Sequence, residues 1–146
     1  MVASPKTACV FCKIAEGSLS AHIVHEEEDF LAFLDKTPLF SGHCLLIPRA
    51  HYGTLLDVPP DLVGPLFITA QRLARAVERA LEAEGIFVAI NNKVSQSVPH
   101  VHVHVVPRRK KDGLKGFFWP RHPYAGDDEM ARVRATIRAA WEESPR

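Results

Sequence analysis

The chain has 146 residues, 47% of them hydrophobic, which is enough for one globular domain and leaves little room for two. Lys and Arg number 18 against 17 Asp and Glu, so the sequence lacks the basic excess that drives sequence-independent attachment to nucleic acid. No stretch approaches the ~20 uninterrupted apolar residues of a membrane span, and the opening Met1-Val-Ala-Ser-Pro-Lys-Thr-Ala8 has no apolar core of signal-peptide length, so a cytoplasmic protein without nucleic-acid or membrane partners is expected.

Taken in chain order, the first feature is Cys9-Val-Phe-Cys12. In a reducing compartment such a pair is half a zinc site or a thiol redox couple. The redox reading expects a β-α-β setting that the following residues do not offer, whereas zinc needs two more N or S ligands. Cys44, inside the apolar run Cys44-Leu-Leu-Ile47, reads as a small core residue.

His22 to Glu26, Phe30 to Asp35 and His43 to Pro48 are short apolar runs, the second and third separated by turn residues, and predict an antiparallel meander. From about Asp61 to Glu84 the apolar residues Leu62, Leu66, Ala70, Leu73, Val77 and Leu81 step by three and four between charges, which predicts an amphipathic helix. Pro59-Pro60 marks its start and Gly85 lies past its end, with Pro65 expected in the first turn.

Ile86 to Asn91 and Pro99 to Pro107 predict two further strands. Asp127 to Glu143 predicts a closing helix with Met130, Val133, Ile137 and Trp141 on one stripe. Between them runs a loop, Arg108 to Gly126. Its basic Arg108-Arg-Lys-Lys111 and aromatic Gly116-Phe-Phe-Trp-Pro-Arg121 read equally as a solvated charge run with a hydrophobic plug or as a contact to a substrate's leaving group or a second nucleotide, should the chain bind one. The expected fold is a single α+β domain over residues 1–146, with a mainly antiparallel five-stranded sheet, one long helix and a C-terminal helix.

The chemistry concentrates in His100-Val-His102-Val-His104-Val-Val106. Successive strand residues face opposite sides, so the histidines share one face and the valines anchor the other in a core. Residues i and i+2 lie about 6.7 Å apart and i and i+4 about 13 Å, so one metal could take two of the imidazoles but not all three. A buried row would need partners for every ring nitrogen, which favours a functional row beside solvent or a bound anion.

This run, preceded by Gln96-Ser97-Val98, resembles the signature of the histidine triad (HIT) family. The stretch Phe33-Leu-Asp35 through His43-Cys-Leu-Leu-Ile-Pro48 to His51 is similar to that family's nucleoside-binding half. The resemblance extends from Cys9 to Pro107 and implies a histidine-triad fold and a nucleotide hydrolase. It makes His102 the nucleophile at the α-phosphorus of a nucleoside phosphoramidate or dinucleoside polyphosphate, through a covalent nucleotidyl-histidine. It further implies that Asp35 bonds the ribose, and that Asn91, Gln96 and Ser97 contact the phosphates. His104 would lie beside the scissile group, with His43 supporting it.

Zinc-bearing relatives complete a Cys pair with the first triad His and a His after the Ile-Pro strand. Here these are His100 and His51, which with Cys9 and Cys12 would make a closed structural zinc site. A purine nucleotide substrate and a homodimer formed through the long helix and its neighbouring strand are also implied. A departure is Asn91-Asn-Lys-Val-Ser95, which has no glycine where several relatives carry a glycine-rich loop. Two other readings compete: a nucleotidyl transferase or phosphorylase that passes the same intermediate to another acceptor, although His104 fits the hydrolase pattern, and a nucleotide-binding scaffold with weak turnover.

Overall fold

The computed structural model describes residues 8–114 and 121–144. The chain divides into two compact units, residues 1–110 and 111–146. The first holds a short helix α1 (Val10–Ala15), strands β1 (Ile23–Glu26), β2 (Phe30–Leu34) and β3 (Cys44–Pro48), helix α2 (Pro60–Ala80) and strands β4 (Gly85–Ala89) and β5 (Val103–Arg108). The strands form one antiparallel sheet in the order β1-β2-β3-β5-β4. The second unit contains α3 (Asp127–Glu143), in which Met130, Val133, Ile137 and Trp141 recur at helical spacing and none of the helix's residues is buried. The aromatic residues 116–120 singled out above lie outside the described residues.

The α+β class and the five-stranded antiparallel sheet agree with the sequence reading. The strand limits differ by one to four residues, most at β5. Residues 99–102, expected to open that strand, lie outside the sheet ladder: the chain bends at 99–100, where His100 N donates to Val98 O at 2.8 Å, and Val101 N donates to Tyr52 O at 2.7 Å, so the ladder starts only at Val103. Helix α1 was not expected, because six residues are too few for a periodic signal.

Helix α2 stops at Ala80, short of Glu84. Glu82 takes a left-handed conformation (φ 50°), Glu82 N donates to Arg79 O, and Ala83 N donates to Glu78 O, a paired closure of the helix end that does not use Gly85. The guanidinium of Arg109 then donates to Leu81 O and Glu82 O at 2.6 and 2.7 Å. That part of the basic run therefore serves the helix C-terminus. Pro65 lies inside α2 on its exposed side, where the carbonyl it cannot bond is that of exposed Asp61.

Both faces of the sheet are covered. On one, Leu66, Ala70, Leu73 and Val77 of α2 pack on Phe30, Ala32, Cys44, Leu46, Val103 and Val105. On the other, Phe11 and the two α1 cysteines pack on Leu31, Phe33, Leu45 and Ile47. The register pairs His104 with Leu45, and opposed residues share a face, so the histidines stand on the α1 side while Val103 and Val105 anchor the chain under α2.

Candidate functional site

On the α1 side the sheet floors a cleft of about 740 Å³. Its walls include Phe11, Ile14 and Leu19 from the N-terminal segment, Asp35 to Thr37 after β2, and Ser97, His102 and His104. Asp35, Ser97, His102 and His104 are thus brought to one space, with His43 buried behind His104. His43 and His102 are almost fully buried, and His104 is half-buried.

Of the row expected beside solvent or a bound anion, His102 and His104 line the cleft while His100 lies wholly inside the fold; the burial of His100 and His102 is tolerated because backbone groups satisfy them. His100 Nε2 donates to Pro48 O at 2.8 Å, and His102 Nδ1 donates to His100 O at 2.8 Å. A carbonyl only accepts, so each bond fixes a tautomer. His102 must carry its proton on Nδ1, which leaves Nε2 bare within a ring that lines the cleft.

The third imidazole is set by a longer chain. Leu39 N donates to His43 Nδ1 at 3.0 Å, so His43 holds its proton on Nε2 and donates it to His104 Nδ1 at 2.9 Å. His104 is left with a proton on Nε2, the opposite tautomer to His102. Asp35 Oδ1 accepts from Thr37 N and Thr37 Oγ1, and its Oδ2 lies 3.7 Å from His43 Nε2. Asp35, His43 and His104 bring ligand atoms within 4.8 Å of one another, but a protonated His43 Nε2 cannot coordinate, so this trio is a proton chain and not a metal cage.

Burial holds all of these rings in their neutral form. It lowers His43 and His102, partly opposed in each by the Asp35 carboxylate, and takes His104 down to about 4 with help from neighbouring His102 and His43.

Cys9, Cys12, His51 and His100 form a second cluster, all four ligand atoms lying within 4.8 Å of one another. Cys12 Sγ is 3.2 Å from His51 Nδ1 and 3.5 Å from His100 Nδ1, and Cys9 Sγ is 3.4 Å from His100 Nδ1. Ligands at 2.0–2.3 Å on the corners of a tetrahedron stand about 3.3–3.8 Å apart, so the set fits a zinc-sized ion. The Pro48 carbonyl turns the bare nitrogen of His100 toward the sulfurs, as metal-binding imidazoles require. His51 lacks such an anchor: its Nε2 is the buried side-chain polar atom, among the described residues, without a hydrogen-bond partner.

Other residues named from the sequence stand further from this chemistry. Asn91 follows β4 and is exposed, outside the residues that line the cleft. Gln96 uses its amide on backbone, donating to Gly53 O and accepting from Lys93 N. Leu39 is half exposed and contributes its N–H to His43. Phe11, whose ring stands edge-on to His102 at 5.0 Å, was not singled out, and neither was Thr37. Their signals were available only as positions beside Cys12 and Asp35. Cys44 is a buried core thiol whose pKa burial raises, as its apolar run suggested.

Comparison with known proteins places these features in context. The HIT domain family matches residues 16–111. The adenosine 5′-monophosphoramidase HNT1 of Saccharomyces cerevisiae is 34% identical over 138 residues, covering 94% of this chain and 85% of its own. A crystal structure of a HIT family member from Bacillus subtilis superposes with a TM-score of 0.83 at 34% identity, over 90% of this chain and 96% of the other. A zinc-bound histidine triad protein from Mycobacterium smegmatis gives 0.71 at 37% identity, over 93% and 99% of the two chains.

Because folding lowers His43 and His104 from 6.5, the unfolded chain takes up protons that the folded one refuses. Their contribution to stability is complete above 6.5 and is lost as pH falls toward 4. Thermal melting between about pH 7.5 and 4.5 should show Tm falling below 6.5, and His104→Gln should flatten that fall. Equal pH slopes for the two proteins would contradict it.

Proposed function

We propose a function from one premise: the chain belongs to the HIT domain family. We read the cleft as the active site of a nucleotide hydrolase acting at the α-phosphorus of nucleoside phosphoramidates or dinucleoside polyphosphates. The observation that carries this reading is the opposed tautomers of His102 and His104, a bare Nε2 beside a protonated one in the same cleft. The first is what a nucleophile needs near pH 7. The second is what charge developing on phosphate oxygens needs.

In this reading His102 Nε2 forms a bond to phosphorus as the bond to the leaving group breaks. The leaving group departs with its electron pair and takes a proton from solvent, which the later attack of water returns. His104 Nε2–H donates to the phosphoryl group, and the Leu39–His43 chain keeps that proton in place. Water then attacks the nucleotidyl-His102, releasing a nucleoside monophosphate and restoring the bare nitrogen. Asp35 would accept from the ribose hydroxyls and Ser97 would face the phosphates from the cleft wall, while Gln96, bonded to Gly53 O and Lys93 N, would steady the loop that carries Ser97. Phe11, Ile14, Leu19 and Phe33 give a purine base an apolar surface. His102→Ala is expected to abolish turnover of adenosine 5′-phosphoramidate, and the rapid-quench burst of nucleotidylated protein, while nucleotide binding persists. Turnover within about tenfold of wild type would remove the nucleophile assignment.

We read the Cys9–Cys12–His51–His100 cluster as a structural zinc site. Bound there, zinc would supply cohesion between the N-terminal segment and the triad, without touching the reacting groups. The fit of the sulfur–nitrogen spacings supports this. Purified protein is expected to hold one zinc per chain, and Cys9→Ser should lower metal content and Tm together, since the energy of a structural site is folding energy. Metal-free protein whose melting a chelator leaves unchanged would contradict it.

A homodimer through α2 and the edge strand β4 is proposed as the working form. Phe67 and Ile68 of α2 and Val88 of β4 are exposed apolar side chains, and β4 is last in the strand order of the described sheet. Light scattering at micromolar concentration should give a dimer mass. A monomer mass would rule the dimer out.

A further inference from the structure

Phe11 sits between Cys9 and Cys12 at the start of α1, and so far its only part is as one wall of the base pocket. Its ring is buried and stands edge-on to three others: Phe33 at 5.4 Å, His102 at 5.0 Å with an interplanar angle of 85°, and His100 at 6.0 Å. His102 is held at Nδ1 by one hydrogen bond to the His100 carbonyl. One bond fixes which nitrogen carries the proton, but leaves the ring free to tilt about it. The Phe11 ring, perpendicular to that imidazole, closes one flank of it, with the His104 ring at 4.9 Å as a further aromatic neighbour, and so restricts where Nε2 points.

What holds Phe11 is itself telling. Six residues cannot sustain a helix alone, since isolated helices below about 12–15 residues are marginal in water. Helix α1 is fastened at both ends instead. Cys9 caps its N-terminus, accepting from Cys12 N, and both sulfurs lie against His100 or His51. At the other end Arg49 Nη1 donates to Ala15 O at 3.0 Å. The metal-ligating cluster and the nucleophile therefore meet through one aromatic ring, and His100 belongs to both: its imidazole faces the sulfurs while its carbonyl holds His102.

We infer that Phe11 is a positioning residue for His102, and that the Cys/His cluster acts on the reaction by fixing α1 and, with it, the Phe11 edge against the imidazole. The inference rests on the reading of His102 as nucleophile. It goes further in assigning the short helix that Cys9 caps a part in the rate, beyond lining the base pocket. The two contributions separate kinetically. Loss of a base contact raises KM, whereas loss of aim lowers the rate at saturation.

The test uses zinc-loaded Phe11→Leu, which keeps an apolar side chain in the cluster but lacks the flat edge, with Phe11→Ala beside it. Zinc content and the affinity for adenosine monophosphate are measured together with kcat and KM. The expected result for Phe11→Leu is unchanged zinc content, affinity within a few-fold, and a kcat lower by about ten- to a hundredfold, as misplacement of a reacting group costs. A kcat within about twofold of wild type, with any change confined to KM, would overturn the positioning role. Should Phe11→Ala fail to fold, Phe11→Leu still decides. Failure of the underlying reading shows itself separately, as turnover retained by His102→Ala.

Discussion

A neutral imidazole has two nitrogens and one proton, so a partner that can only accept at one nitrogen decides what the other can do. That constraint organises this molecule. In His100-Val-His102-Val-His104 the first ring gives its proton to the Pro48 carbonyl and turns a bare nitrogen to two cysteines. The second gives its proton to the His100 carbonyl and turns a bare nitrogen to the cleft. The third receives at Nδ1, through His43, and turns a proton outward. Three identical side chains at alternate positions thus present a bare nitrogen to a pair of sulfurs, a lone pair to the cleft and a hydrogen-bond donor.

The surrounding fold serves to keep those bonds in place. Val101, Val103 and Val105 are fully buried, Val103 and Val105 under α2, which fixes the backbone whose carbonyls and pleat aim the rings. The Ser41-Gly42 turn before His43 packs under the end of α2. Gly42 has φ 96°, and a side chain there would collide with Leu81, so the approach to His43 depends on glycine. Burial makes the arrangement demanding, because a desolvated imidazole without partners would be costly. The same burial keeps the rings neutral, the state in which a histidine has a lone pair to offer.

Much of this was legible in the sequence. Alternation of His and Val placed the two residue types on opposite faces, and the apolar stepping from Leu62 to Val77 gave α2. The pairing of Cys9-Val-Phe-Cys12 with His51 and His100 rested on resemblance to a family and not on spacing, since nothing local relates residues so far apart in the chain. What escaped were features that depend on tertiary bonds. The unpaired stretch 99–102 looks like strand because its side chains alternate, yet Val101 N finds Tyr52 O instead of a neighbouring strand. The end of α2 is set by Glu82 and Arg109, residues whose types do not announce a helix stop. The Leu39 amide carries no side-chain signal at all, although it determines the proton on His104 through His43.

The central claim is the assignment of protons on the triad, and nitrogen-15 imidazole NMR of the zinc-loaded protein near neutral pH reads it directly. Long-range correlations should show His102 protonated at Nδ1 with Nε2 bare, and His104 protonated at Nε2 with Nδ1 accepting. A His102 protonated at Nε2, or charged at both nitrogens, would contradict it.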